Sequence, residues 1–119
     1  MTSVGVDIVE IKRIESAVNR GKERFLNRVY TQTELSACQY RPPSLASRFA
    51  AKEAVMKVLG TGRTGIAWRE IEILTGHDGR PSVRLHGRAL DKATELNLKE
   101  VSISLSDSKE YAVAVAIGT

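Results

Sequence analysis

The chain has 119 residues, of which 27% are charged, and a formal net charge of +4. This length suits one domain with a core of its own, predicted over residues 1–119. The single cysteine, Cys38, excludes an intrachain disulfide, and no apolar run reaches the roughly 20 residues of a membrane helix. We therefore expect a globular protein of the reducing cytoplasm that makes no membrane contact.

The positive charge is concentrated near the beginning of the chain. Residues 10–28 contain six basic and three acidic side chains, which accounts for +3 of the total of +4. A local excess of this kind can attract an anionic partner. Nucleic acid is not expected, because no aromatic residue interleaves the basic ones before Phe25 and no known binding motif is present.

The first elements follow from apolar periodicity. Apolar side chains alternate along residues 4–9, which predicts a buried strand, and then recur every three or four residues as far as Val18, which predicts an amphipathic helix. This helical pattern stops near Gly21. Residues 31–34 match a capping box and predict a short second helix.

The longest predicted helix spans residues 45–59, with Ser44 as its N-cap and Gly60 as its stop. A hairpin over residues 69–86, a short helix near residues 90–96 and a final hairpin of two apolar strands complete the chain. This order predicts an α+β fold, in which a small, mainly antiparallel sheet packs against a long central helix and shorter helices.

Two carboxylates stand in unfavourable surroundings. Asp7 interrupts the first apolar strand, and Glu53 lies near the apolar side of the long helix. Two carboxylates with room for water and substrate phosphates suit Mg²⁺, and Arg48, Lys52 and Lys57 on the same helix favour phosphoryl chemistry. The structural alternative is that Asp7 caps the following helix while Glu53 pairs with Lys57.

Two polar segments have sequences that are more typical of turns than of catalytic or binding sites. Residues 60–65 are rich in glycine, but they follow a helix and lack the lysine of a phosphate-binding loop. This pattern favours a helix end followed by a turn. The alternative is that the amides of the turn contact phosphate. Residues 104–109 carry several hydroxyls around a predicted hairpin turn. A Ser/His/Asp triad is not supported, since His77 and His86 belong to another hairpin.

Three stretches, taken together, resemble a known family. They are GVDIVEIKRI at residues 5–14, RFAAKEA at residues 48–54 and SLSDSKEYA at residues 104–112. In this order and separation they are similar to the holo-[acyl-carrier-protein] synthases. The resemblance implies a 4′-phosphopantetheinyl transferase fold and an enzyme that moves the phosphopantetheine arm of coenzyme A to a serine of apo acyl carrier protein, releasing adenosine 3′,5′-bisphosphate.

The resemblance also implies roles for individual residues. Asp7 and Glu53 match the catalytic Mg²⁺ ligands. The positions matched to coenzyme A binding are Arg48, Lys57, Gly60, Pro81, Ser106, Asp107 and Ser108. The positions matched to the surface that docks the acidic carrier protein are Arg13, Arg24 and Arg28. Family members of this length are commonly homotrimers with the coenzyme site between subunits, so a homotrimer is expected.

Asp107 departs from the family pattern, which usually has histidine at this position. An aspartate accepts hydrogen bonds and repels phosphates. We expect it either to turn into the hairpin and cap amides, or to contact substrate through the water shell of the metal. The departure leaves the general base open, with Glu53 acting through a metal-bound water as the first candidate. A different class of function is also possible for residues 12–28: a non-catalytic, basic oligomeric module that binds an acidic protein.

Overall fold

The computed structural model of the chain describes residues 1–60 and 65–119, and its elements confirm the predicted α+β class. The strands are β1 (Ser3–Glu10), β2 (Ile71–Thr75), β3 (Pro81–Leu85), β4 (Val101–Asp107) and β5 (Tyr111–Gly118). The helices are α1 (Ile11–Val29), α2 (Gln32–Cys38), α3 (Pro42–Leu59) and α4 (Gly87–Glu95), and a 3₁₀ turn spans Trp68–Glu70. The long central helix α3 packs against both β1 and β5.

The strands form two antiparallel groups. β1, β5 and β4 form a three-stranded sheet in that order, and β2 pairs with β3 in a separate hairpin. In the larger sheet Asp7 lies opposite Ala114, which in turn lies opposite Leu105. These three residues form one row across the sheet, so Asp7 and Leu105 are two strand spacings apart, or about 10 Å.

The side of the sheet that faces α3 carries small side chains. Gly5 and the alanines at positions 112, 114 and 116 are all buried there. At Gly5 the helix comes so close that an added Cβ would collide with the carbonyl oxygen of Ala54 and would approach the Cβ of Lys57 to 3.0 Å. This close contact brings the face of β1 that carries Asp7 against the turn of α3 that carries Glu53 and Lys57.

The prediction that β1 is a buried strand is wrong for one of its two faces. Val4, Val6 and Ile8 are 62%, 52% and 62% exposed, while Gly5, Asp7 and Val9 face α3. On β5, Val115 and Ile117 are exposed on the same outer face. The alternation predicted a strand correctly, but Val4, Val6 and Ile8 lie on the side away from the helix, because α3 approaches β1 too closely at Gly5 for a larger side chain there.

Two helix boundaries also differ from the prediction. Helix α3 begins at Pro42, with Arg41 as its N-cap, because proline suits the first helical position. Ser44 lies inside the helix. Helix α1 continues to Val29 across a kink at Lys22, whose φ of 50° and ψ of −131° are not helical. Among the helices of residues 1–60 and 65–119, none is long and apolar enough to cross a lipid bilayer.

Candidate active site

Asp7 has a cationic partner from the central helix. Its carboxylate lies 3.3 Å from the Lys57 ammonium, which also donates a hydrogen bond of 2.7 Å to the carbonyl of Val6. The Asp7 side chain is 15% exposed and that of Lys57 is 53% exposed, so the pair lies at the protein surface. The site thus already accepts a positive charge beside Asp7.

The alternative in which Asp7 caps the following helix is wrong. Strand β1 runs through Asp7 to Glu10, which is the residue that precedes α1 and makes no side-chain cap. Asp7 therefore keeps its carboxylate at the contact between β1 and α3. Glu53 lies one helical turn before Lys57, on the segment of α3 that contacts Gly5, and its side chain is half-buried.

The donor set at this contact fits Mg²⁺. Asp7 and Glu53 supply carboxylate oxygens, and within the part of the chain that the structure describes no group of three or more His, Cys, Asp or Glu side chains could enclose an ion. An open pair of carboxylates suits Mg²⁺, which usually keeps several waters and completes its octahedron with substrate phosphates. The ammonium of Lys57 beside Asp7 shows that this position tolerates a cation.

A polar cavity of about 470 Å³ opens beside the amino-terminal half of α3. Its volume falls in the range typical of small-molecule sites. Of the predicted coenzyme residues, its wall contains Arg48, Pro81, Ser106 and Asp107. Arg48 is held in place by hydrogen bonds to the hydroxyls of Ser47 and Thr75, at 3.2 and 3.1 Å. The cavity therefore presents a fixed guanidinium to a ligand.

The cavity and the carboxylates lie at different positions around α3, and none of Asp7, Glu53 and Lys57 lines the cavity. Leu105 belongs to the cavity wall and lies in the same row of the sheet as Asp7. Arg48 and Glu53 are five residues apart on α3, or about 7.5 Å along the helix axis. Because five residues correspond to about 140° round the helix axis, Arg48 and Glu53 project to different sides of α3.

Three predicted coenzyme residues lie outside the cavity wall. Lys57 contacts Asp7, as described above. Gly60 ends α3 with a φ of 73°, and its amide donates to the carbonyls of Met56 and Lys57, as in a helix end. Ser108 closes the β4–β5 turn, with its amide donating to the carbonyl of Tyr111 at 2.8 Å. The remainder of the glycine-rich segment, residues 61–64, lies outside the described residues.

Sequence reasoning did not assign some wall residues. Arg80, Ser44, Ser47 and Ser104 also line the cavity. The signal for Arg80 was its place between Gly79 and Pro81 in a tight turn, where its guanidinium lies 3.4 Å from the Asp78 carboxylate. The serines carry no such signal, because their role depends on which strand and helix lie opposite them.

Asp107 lies on the cavity wall at the end of β4. Among the described residues its carboxylate accepts no hydrogen bond, so the expected capping of hairpin amides is not observed. Ser108 performs that function instead, since its hydroxyl accepts the amide of Tyr111 at 3.2 Å. Asp107 thus places a negative charge in a cavity that also contains Arg48 and Arg80.

The predicted docking residues do not form one patch. Arg24 and Arg28 lie one turn apart on α1, beyond its kink, and line a shallow surface groove with Arg20, which sequence reasoning did not assign. The spacing of four residues from 20 to 24 to 28 could have identified it. Arg13 lies before the kink, with its guanidinium 5.9 Å from the centre of the Phe49 ring.

Comparison with known proteins agrees with this geometry. The sequence profile of the 4′-phosphopantetheinyl transferase superfamily matches residues 3–116. A holo-[acyl-carrier-protein] synthase of Dehalococcoides mccartyi is 51% identical over 117 residues, which cover 98% of both chains. The solved holo-[acyl-carrier-protein] synthase of Helicobacter pylori, in complex with coenzyme A, has a TM-score of 0.90 at 32% identity and covers 98% of this chain and 99% of its own. The corresponding enzyme of Neisseria meningitidis has a TM-score of 0.87 at 35% identity, with 98% and 97% covered.

A long helix packed across a small antiparallel sheet is thus an architecture that the chain shares with a class of transferases. The chain belongs to the 4′-phosphopantetheinyl transferase superfamily and, within it, to the holo-[acyl-carrier-protein] synthase enzymes.

Proposed function

We propose that this enzyme transfers the 4′-phosphopantetheine group of coenzyme A to a serine of apo acyl carrier protein in a Mg²⁺-dependent reaction that releases adenosine 3′,5′-bisphosphate. Family membership supports the more general statement that coenzyme A and an acyl carrier protein are the substrates. The observation that supports the rest is the Asp7 carboxylate, held against α3 with the Lys57 ammonium beside it.

Asp7 and Glu53 are the residues that would hold Mg²⁺. When bound, Mg²⁺ supplies charge neutralisation at the pyrophosphate and orients it. Lys57 is the counter-ion of Asp7 in the protein alone, and its half-exposed ammonium is free to turn towards ligand phosphates once another cation neutralises Asp7. Arg48 holds a second anionic group of the ligand, because its guanidinium already points along the cavity wall.

The carrier protein would dock on the groove formed by Arg20, Arg24 and Arg28. All three side chains lie on the second half of α1 or at its kink, and the residues are exposed. An acidic partner is attracted to such a surface over distances of about 10 Å at 0.1 M ionic strength. Its role is to bring the acceptor serine to the cavity, whereas bond breaking depends on the carboxylate pair.

We also propose that the protein is a homotrimer. The supporting observation is the outer face of the sheet, where Val4, Val6, Ile8, Val115 and Ile117 form a contiguous apolar surface across paired strands. Exposed apolar faces of this kind commonly mark protein–protein contacts. A further copy of this chain is the occupant we propose for that face.

The proposed reaction is tested by incubating the enzyme with coenzyme A, Mg²⁺ and an apo acyl carrier protein and weighing the carrier by mass spectrometry. We expect the carrier to gain one phosphopantetheine group, and to gain none with excess chelator or when its acceptor serine is replaced by alanine. Native spectra of the same enzyme samples should show three times the mass of the 13.1 kDa chain. A carrier that binds but is never modified would contradict the proposed transfer and favour a binding module.

Charge reversal in the groove separates docking from chemistry. For the double variant Arg24→Glu, Arg28→Glu we expect the KM for carrier protein to rise about 10-fold or more, because like charges then face each other, with kcat nearly unchanged. Steady-state kinetics at 50 and 300 mM salt provide the measurement, and added salt should raise the wild-type KM but not that of the variant. The control Lys92→Glu, Lys99→Glu has the same net charge and should behave as wild type. An unchanged KM in the groove variant would place docking elsewhere.

A further inference from the structure

Helix α3 has almost no solvent-facing side. Twelve of its eighteen residues are buried: Leu45, Ala46, Ser47, Phe49, Ala50, Ala51, Lys52, Ala54, Val55, Met56, Val58 and Leu59. A helix buried on most of its sides has no single apolar stripe that must face the core, so burial alone defines its rotation about its own axis only weakly. The four alanines in this set add little shape that could interlock with neighbours.

One buried polar side chain on α3 makes directional bonds. The Lys52 ammonium donates three hydrogen bonds, to Glu34 Oε1 at 2.9 Å, to the Trp68 carbonyl at 3.0 Å and to the Ile71 carbonyl at 2.6 Å. These use all three of its protons. The side chains of Lys52 and Glu34 are both fully buried. Burial lowers the pKa of the Lys52 ammonium from its usual value, and the Glu34 carboxylate opposes that shift.

The partner of Lys52 is equally constrained. Glu34 Oε1 also accepts the Thr31 amide at 2.8 Å, and Oε2 accepts the Ile73 amide at 2.7 Å. The pair therefore ties α3 to the start of α2, to the 3₁₀ turn and to two residues of β2. No buried side-chain nitrogen or oxygen among the described residues is left without a hydrogen-bond partner. All the polar groups of this hydrogen-bond network are therefore paired, and their partners fix the arrangement of Lys52 and Glu34.

Stability alone does not explain an ion pair at this place. Taking two charges out of water carries a desolvation penalty, and apolar replacements of buried pairs are often neutral or stabilising. An apolar replacement would make only dispersion contacts, which allow a helix to rotate or slide. Three hydrogen bonds to fixed carbonyl and carboxylate oxygens do not allow such movement.

The rotation of α3 matters at its functional residues. Glu53 follows Lys52 directly and so projects 100° further round the axis, and Lys57 lies one turn beyond Glu53. Side chains reach about 5–6 Å from the axis, so a rotation of about 10° moves their tips by about 1 Å. Misplacement of that size can reduce the rate of a reaction by about 100-fold.

We propose that the buried Lys52–Glu34 pair is a positioning element, which sets the rotation of α3 so that Glu53 and Lys57 face Asp7 while Arg48 faces the cavity. This inference rests on the proposed function, since it assigns these residues to one site. Lys52 and Glu34 are positioning residues, because neither lines the cavity nor contacts Asp7.

The test is the double variant Glu34→Gln, Lys52→Met, which removes both charges, nearly conserves volume and keeps one acceptor oxygen for either the Thr31 or the Ile73 amide. We expect the thermal midpoint to fall by about 4–8 °C, because one buried amide and the Trp68 and Ile71 carbonyls lose their partners while the cost of burying two charges is removed. We expect kcat to fall about 10-fold or more while the KM for carrier protein stays unchanged. Calorimetry without carrier should show coenzyme A binding several-fold more weakly.

The matched control is Met56→Leu, a volume-conserving change at a buried position one turn from Lys52. It changes core packing on the same helix without touching the hydrogen bonds of Lys52, should lower the thermal midpoint by about 8 °C or less, and should leave kcat unchanged. Wild-type kcat and coenzyme A affinity in the double variant would overturn the proposal. If the double variant does not fold, Lys52→Met alone is used, which removes all three hydrogen bonds from α3, with activity normalised to the folded fraction; a full kcat per folded molecule would overturn the proposal.

Failure of the proposed function is a separate outcome. If wild-type enzyme modifies no carrier protein, the proposed reaction is contradicted, yet the calorimetric comparison of wild type and variant still tests positioning. Equal coenzyme A affinity in that comparison would reject the positioning role, and weaker binding by the variant would support it.

Discussion

Replacing Asp7 by asparagine is expected to abolish phosphopantetheine transfer while leaving the fold intact. The substitution keeps the size of the side chain but removes the negative charge that faces α3. Because charge stabilisation by a metal is worth several kcal/mol and each 1.4 kcal/mol changes a rate tenfold, we expect a loss of at least about 100-fold in kcat/KM. The binding of Mn²⁺, measured by electron paramagnetic resonance in the absence of carrier protein, should weaken in parallel.

The fold should tolerate this change because the ion pair it breaks is largely solvated. The Lys57 side chain is 53% exposed, and such pairs contribute about 1 kcal/mol or less. Lys57 also keeps its hydrogen bond to the Val6 carbonyl. We therefore expect the thermal midpoint to move by less than about 5 °C. Asp91→Asn, the same substitution at an exposed position of α4, should leave activity and midpoint unchanged, and retained activity in Asp7→Asn would remove Asp7 from the site.

A single methyl group at Gly5 is expected to cause the largest loss of stability among these variants. In Gly5→Ala the new Cβ would collide with the Ala54 carbonyl oxygen, which belongs to helix backbone and cannot rotate away. Either α3 or β1 must move. Overpacking of this kind costs about 1–3 kcal/mol and sometimes more, so we expect the thermal midpoint to fall by about 8 °C or more.

Activity should fall further than stability explains, because the displaced turn carries Glu53 and Lys57 and faces Asp7. The measurement is kcat well below the midpoint of the variant, where nearly all molecules are folded, alongside calorimetric unfolding. Gly118→Ala is the comparison, since its Cβ would meet only side-chain atoms of Val58 and Leu98, and its effect on kcat should be small. A Gly5→Ala enzyme with wild-type stability and kcat would show that the two elements do not need this close approach.

Local signals in the sequence predicted most of the elements. The capping box at Thr31 is present as expected, with the Thr31 hydroxyl accepting the Glu34 amide and the Glu34 carboxylate accepting the Thr31 amide. Gly60 ends α3 as expected. Such features involve residues only a few positions apart, so the sequence contains all the information that they need. The start of α3 was misplaced because two prolines can either break a chain or begin a helix.

The candidate site was predicted unevenly, and the reason is physical. Asp7 and Glu53 were identified because a carboxylate among apolar residues is conspicuous in any fold. The contact between Asp7 and Lys57, the cavity shared by Arg48 and Asp107, and the missed wall residue Arg80 all depend on segments that are far apart in the chain.

The sequence by itself determined the α+β class, the order of the elements, the local concentration of positive charge and the two carboxylates in unfavourable surroundings, Asp7 and Glu53. Only the tertiary structure decided which face of β1 lies against α3, and that Lys52 and Glu34 form a buried pair rather than two surface charges. Periodicity shows that a strand has two faces, but which one is buried depends on how closely the helix can approach. Here Gly5 and three alanines of β5 allow the helix to come close, and the large apolar side chains are left on the outer face.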